Sequence, residues 1–161
     1  MIVAHDVFSE INPAFCAYIL RSFTSAFITI SDQGPEVPLA YLSLPFALSG
    51  DLGKTFRSTN KNTGLLEWVE RNPEIHIGLA ERVNRCLAIV TDAMRFGCFS
   101  QILTINDRAQ FHPGGRKVKK SAVTKLSEAP ANSLKRAERL GYWFAAAGST
   151  KTIFDIMDLT V

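Results

Sequence analysis

From Asn72 to Gly97 the chain reads NPEIHIGLAERVNRCLAIVTDAMRFG. Asparagine before proline is a helix start, because Asn caps free amides and proline at the first helical position loses no bond. Ile75, Leu79, Val83, Cys86, Leu87, Val90, Met94 and Gly97 lie along one helical stripe, with Glu74, Glu81, Arg85, Asp92 and Arg95 opposite. The spacing predicts one long amphipathic helix that stops at Gly97. Just after it, Phe99–Asn106 and Ala109–His112 read as two strands of a hairpin, with Asp107-Arg108 near the turn. Just before it, a short helix opens at Asn62 or Thr63 and carries Leu65, Leu66, Trp68 and Val69 through Arg71. A short helix, a longer helix and a hairpin follow the order of a winged-helix unit. In DNA-binding members of that class the second helix enters the major groove. Here its outer face would offer three acids and two bases, a poor surface for phosphate, so the unit reads as protein-binding.

Towards the N-terminus, Asn12-Pro13 is a second cap-plus-proline start. Phe15, Tyr18, Ile19, Ser22, Phe23, Ala26, Phe27 and Ile30 follow at helical spacing. The other side of this helix is also rather apolar and has Arg21 as its one charge, so the helix is expected to be covered on more than one side, by the body or by a partner. Gln33-Gly-Pro-Glu breaks the chain. Pro38–Leu48 is apolar, and its pattern leaves strand, short helix and extended segment open; Pro45 argues against a central strand or an unbroken helix. Ser49–Lys61 is polar and reads as a loop.

Towards the C-terminus, Pro113-Gly114-Gly115 leads into a basic run. Residues 116–139 carry eight basic and two acidic side chains in a chain of net charge +3, so the remainder is mildly acidic. Such a segment suits an acidic partner, nucleic acid or protein, or is a solvated lysine-rich loop. Arg116, Lys117, Lys119 and Lys120 are the candidate contacts for a nucleic acid or acidic partner. Pro130-Ala131-Asn132-Ser133 then starts a long helix that ends at Gly148, and Ser149 caps a last short helix in which Ile153, Ile156 and Met157 face inward. Tyr142, Trp143 and Phe144 are consecutive, so they cannot all point one way. Two readings stand: the body covers all three, or they form an interface hot spot with the neighbouring arginines. On the second reading Arg136, Arg139, Tyr142, Trp143 and Phe144 are the candidate partner-binding residues.

A chain of 161 residues with 47% hydrophobic content can bury a real core and is expected to form one compact domain. Its parts are a helical, winged-helix-like body (1–112), a basic flexible loop (113–131) and C-terminal helices (132–161). The apolar stretches are broken before 18 positions and the N-terminus lacks a basic leader, so no membrane span or signal peptide is expected. Cys16, Cys86 and Cys98 form no CxxC pair and read as thiols of a reducing cytoplasm.

No residue constellation points to an enzyme. Gly148-Ser-Thr-Lys-Thr152 lacks the upstream glycine and the Gly-Lys pair of a phosphate loop; a helix stop followed by a helix cap accounts for it. Gly114-Gly115-Arg116-Lys117 lacks the strand-to-helix context of an anion loop and reads as a hinge. His5, His76 and His112 are too scattered for a metal site. His76 and Cys86 fall on one predicted helix about 15 Å apart, too far for a nucleophile–base pair. Glu67, Glu70, Glu74 and Glu81 read as solvated helix faces. No cofactor and no metal is expected.

Three blocks carry a resemblance. The first is Asn12-Pro13-Ala14-Phe15. The second is Leu42-Ser-Leu-Pro45-Phe, followed by Arg57-Ser-Thr, Leu66-Glu-Trp68 and Gly78-Leu-Ala-Glu-Arg82. The third is Lys135-Arg-Ala-Glu-Arg-Leu-Gly141-Tyr-Trp-Phe144, continuing to Thr152-Ile-Phe154. In order and spacing they resemble the middle components of bacterial ABC-three-component systems, a group that includes the middle subunit of Lamassu-type anti-phage complexes. The resemblance implies a non-catalytic adaptor between an SMC/Rad50-like ABC ATPase and an effector, often a nuclease. DNA would be sensed through the ATPase. Family members often end in a glycine-containing segment after the Ile-Phe pair, whereas this chain has Met157-Asp-Leu-Thr-Val161. The fold expected is α+β and mainly α-helical, with winged-helix-like helices, a β-hairpin and a C-terminal helical pair. The rival function is a winged-helix DNA-binding transcriptional regulator that uses the basic run.

Overall fold

Helix α1 (Pro13–Ile30) is the element round which the others pack. The computed structural model describes residues 12–119 and 126–160. Asn12 caps α1 as expected, its side chain accepting from the Ala14 amide at 2.9 Å, with Pro13 at the first helical position. Helix α2 (Val37–Leu48) follows, then a 3-10 stretch (Gly50–Phe56) and the short helix α3 (Leu65–Arg71). A second 3-10 turn (Pro73–His76) precedes the long helix α4 (Leu79–Phe99). Strands β1 (Leu103–Ile105) and β2 (Phe111–Pro113) form an antiparallel hairpin with Thr104 opposite His112. Helices α5 (Glu128–Ala147) and α6 (Thr150–Ile156) complete the chain. The molecule is therefore mainly α-helical, with one small sheet among the described residues.

The all-round apolar character of α1 has a physical explanation. α5 packs along one side of it and α4 along another, with α2 and the hairpin filling in. Cys16, Ala17, Ile19, Leu20, Phe23 and Phe27 are all buried. By length and composition α1 could cross a membrane, which the broken apolar runs did not predict; its core residues are instead buried within the protein. Arg21, the lone charge, is a staple. Its Nη1 donates to the carbonyls of Ile102 (2.8 Å) and Gly114 (3.0 Å), tying both hairpin strands to α1. A buried carbonyl needs such a donor. On the other edge of the hairpin, the Phe111 amide donates to Pro35 and the Val37 amide to Ala109.

Several expectations need correction. Pro38–Leu48 is helical throughout, with Pro45 inside the last turn. From Leu39 to Ala47 only Tyr41 is not fully buried, so the segment shows no amphipathic period to read. The long helix does not start at Pro73. Gly78 adopts φ 65°, in the left-handed region, and separates the 3-10 turn from α4. Gly97 is not its stop either. It is buried in α4, and a Cβ there would lie 2.9 Å from Leu103 Cδ1 and 3.3 Å from Ala17 Cβ, so glycine serves the close approach of α4 to α1 and β1. α5 begins at Glu128, so part of the expected 113–131 loop is helix. The elements of a winged helix occur in order, but α3 packs chiefly on α5 and α6, so the packing of a helix-turn-helix is not what places α4.

Candidate functional site

The aromatic segment of α5 is core. Trp143 and Phe144 are 0% exposed, so neither forms the surface hot spot that was one of the two sequence readings. Trp143 stacks on Phe56 (centroids 5.8 Å, planes 5° apart) and touches Trp68 at 5.4 Å; its Nε1 donates to the Asn60 carbonyl at 2.9 Å. Phe144 meets Phe23 of α1 edge-on at 5.5 Å. Tyr142 is half-buried and donates to the Glu138 carboxylate, and burial together with that carboxylate pushes its hydroxyl pKa up.

The arginines of the same helix hold the 47–60 segment in place. Arg136 donates through Nε (2.9 Å) and Nη2 (2.7 Å) to the Ala47 carbonyl, which helps satisfy the end of α2. Arg139 Nη1 donates to the Phe56 carbonyl (3.2 Å) and to Thr59 Oγ1 (2.9 Å). Both are half-buried. Four of the five candidate partner-binding residues thus have a structural task that the sequence did not reveal.

A parallel staple joins α4 to the end of α2. Arg82 forms a two-pronged pair with Asp51 (3.1 and 2.8 Å) and also donates to Ser49 Oγ at 2.8 Å. The Arg82 hydrogen bonds hold the Asp51 carboxyl below its usual range. A depressed folded value means the pair stabilises at neutral pH and is lost as pH falls through that value. Asp51 is 63% exposed at its side chain, so solvent screening keeps the effect small. Asp51→Asn is expected to flatten the dependence of melting temperature on pH between about 6 and about 3. An unchanged pH profile in the variant would show that the pair contributes nothing.

Arg116, Lys117 and Lys119 are exposed, and no side-chain partner engages them among the described residues; Lys120 lies outside the described residues, as does His5. The Arg116 amide donates to the Gln101 carbonyl, so the basic run leaves the sheet as a continuation of β2. The polar side chains at the hairpin tip bond to one another: Asn106 Nδ2 donates to Gln110 Oε1, and Gln110 Nε2 to Gln33 Oε1. Cys16 is buried and Cys86 and Cys98 are half-buried; burial pushes the latter two thiols up.

What the sequence missed is the apolar surface. Phe99 is 91% exposed at the end of α4, and Leu87 and Phe96 are exposed on the same helix. Leu87 belonged to the predicted core stripe. It faces out because α4 is fully buried only at Leu79, Val90, Ala93 and Gly97.

A family model described as "ABC-three component (ABC-3C) system Middle Component 3" matches residues 4–160. No curated protein and no solved structure matches the chain.

Proposed function

The chain belongs to the Middle Component 3 family of ABC-three component systems, and from that membership we propose that it is a non-catalytic adaptor in a bacterial anti-phage defence complex. It would join an SMC/Rad50-like ABC ATPase to an effector, a nuclease in this reading, and hold the effector inactive until the ATPase engages DNA. It would act in the cytoplasm. The observation that carries the proposal is the match over nearly the whole chain to a family described as one component of a multi-component system. The exposed apolar residues of α4 support it, since large side chains such as Phe99 are the usual anchors of protein interfaces.

The test follows from that exposure. Phe99→Ser with Leu87→Ser is expected to leave the melting temperature within about 2 °C, because neither side chain is buried, and surface changes cost within about 0.5 kcal/mol. The same variant is expected to lose at least one partner from the affinity-purified complex in high salt. Full retention of every partner would remove this face of α4 from the assembly.

The DNA-binding regulator remains a second reading because Arg116, Lys117 and Lys119 are exposed. It requires sequence-selective DNA binding by this chain alone, whereas α4 offers Glu81 paired to Arg85 on its outer face.

A further inference from the structure

Two stretches far apart in sequence meet at one surface. The segment 50–63 lies on α5, held by Arg139 Nη1 at Phe56 and Thr59 and by Trp143 Nε1 at Asn60. Arg71 Nη1 of α3 reaches Ser58 from the other side at 3.5 Å. Lys54, Arg57 and Lys61 are exposed on this segment, and Lys135 is exposed on α5 beside Arg139. Nε and Nη2 of Arg139 have no protein partner among the described residues, so one nitrogen pins the guanidinium while the others remain available.

The acids that could neutralise this surface are occupied. Asp51 is the one acid in 50–63, and Arg82 of α4 engages it. Glu138 is the one acid in 132–142, and it accepts from Tyr142. Ser58, Asn60 and Asn62 add exposed uncharged polar side chains among the cations.

We propose that this surface binds the phosphate backbone of a nucleic acid. Phosphate recognition uses Lys and Arg mixed with Ser, Thr and Asn on a firmly held framework, which is the composition here. An acidic protein would need apolar anchors at the centre of its contact. None of the exposed large hydrophobic residues lies in 50–63 or 132–142, and Phe56 and Trp143 are buried beneath the surface. The surface is separate from the basic run at 116–119, and the proposal does not depend on the adaptor reading.

The test is a titration of the full-length protein against a fluorescein-labelled mixed-sequence duplex of about 20 base pairs, followed by anisotropy at several salt concentrations. Wild type is expected to bind with log affinity falling linearly in log salt. Arg57→Glu with Lys61→Glu is expected to weaken binding about tenfold or more at low salt and to reduce the slope by about 2, with no loss of melting temperature. Arg57→Lys with Lys61→Arg is expected to bind as wild type does. Lys117→Glu with Lys119→Glu is the control for the other basic run. The proposal is overturned by absence of wild-type binding at low salt, by a charge-reversed variant that binds normally, or by a loss confined to the 117/119 variant. Loss of a protein component from the purified complex by Arg57→Glu/Lys61→Glu, with DNA binding intact, would overturn it in favour of an acidic protein.

Discussion

Trp143→Ala is expected to cost about 4 kcal/mol of folding stability, read as a fall in the urea midpoint. The ring is fully buried between Phe56 and Trp68, and its removal leaves a cavity that two other large rings cannot collapse to fill. The Asn60 carbonyl also loses its indole donor, so the 50–60 segment is loosened at the same time. A loss of that size is a large part of the total stability of an ordinary domain, about 5–15 kcal/mol. Trp143→Phe keeps the stacking on Phe56 and is expected to cost roughly half as much. A Trp143→Ala protein within about 1 kcal/mol of wild type would place the indole outside the core. One consequence is practical: a partner lost by Trp143→Ala would report unfolding, so Phe99 and Leu87 are the better probes of assembly.

Gly141→Ala carries the second large effect, and its sign is diagnostic. In an exposed helix interior the change would stabilise by about 1 kcal/mol. Here a Cβ would lie 2.4 Å from the Phe23 carbonyl oxygen, 2.8 Å from Ala26 Cβ and 3.0 Å from the Phe27 amide nitrogen, all on α1. Two of those atoms are backbone and can move only if α5 shifts off α1. The expected result is a net destabilisation of about 3 kcal/mol, or a fall of roughly 6–12 °C in melting temperature by calorimetry. A melting temperature at or above that of wild type would contradict the α1–α5 crossing. Gly97 plays the same part on the other flank, against Ala17 and Leu103, so α1 is gripped on both sides at small residues.

Local signals carried the helix starts well. Asn12 and Ser149 cap where Asn-Pro and Gly-Ser predicted, and Ile153 and Met157 of α6 point inward. Helix α2 was illegible because a helix buried on nearly all sides has no polar face to give a period. The break at Gly78 was hidden inside a stripe that continues through it, because one left-handed residue changes direction without changing composition. The candidate surfaces were harder still. Which of three consecutive aromatics faces in depends on where α5 lies against α1, and no residue near Trp143 encodes that. The arginines at 136 and 139 looked like a charged face because their carbonyl partners, Ala47 and Phe56, are eighty or more positions away. Arg21 was the better clue: a single charge on an otherwise apolar helix is expensive to bury unless a specific acceptor waits for it. The recognisable blocks Arg57-Ser-Thr and Lys135-Arg-Ala-Glu-Arg turn out to be one contact seen from two sides.

The most direct test of the adaptor reading is affinity purification of the tagged full-length chain from its native host, washed in high salt and identified by mass spectrometry. A large coiled-coil ABC ATPase and a second, different subunit retained with it are the result expected. Recovery of the chain alone, or only with DNA that nuclease treatment removes, would contradict the adaptor reading and leave the DNA-binding regulator in its place.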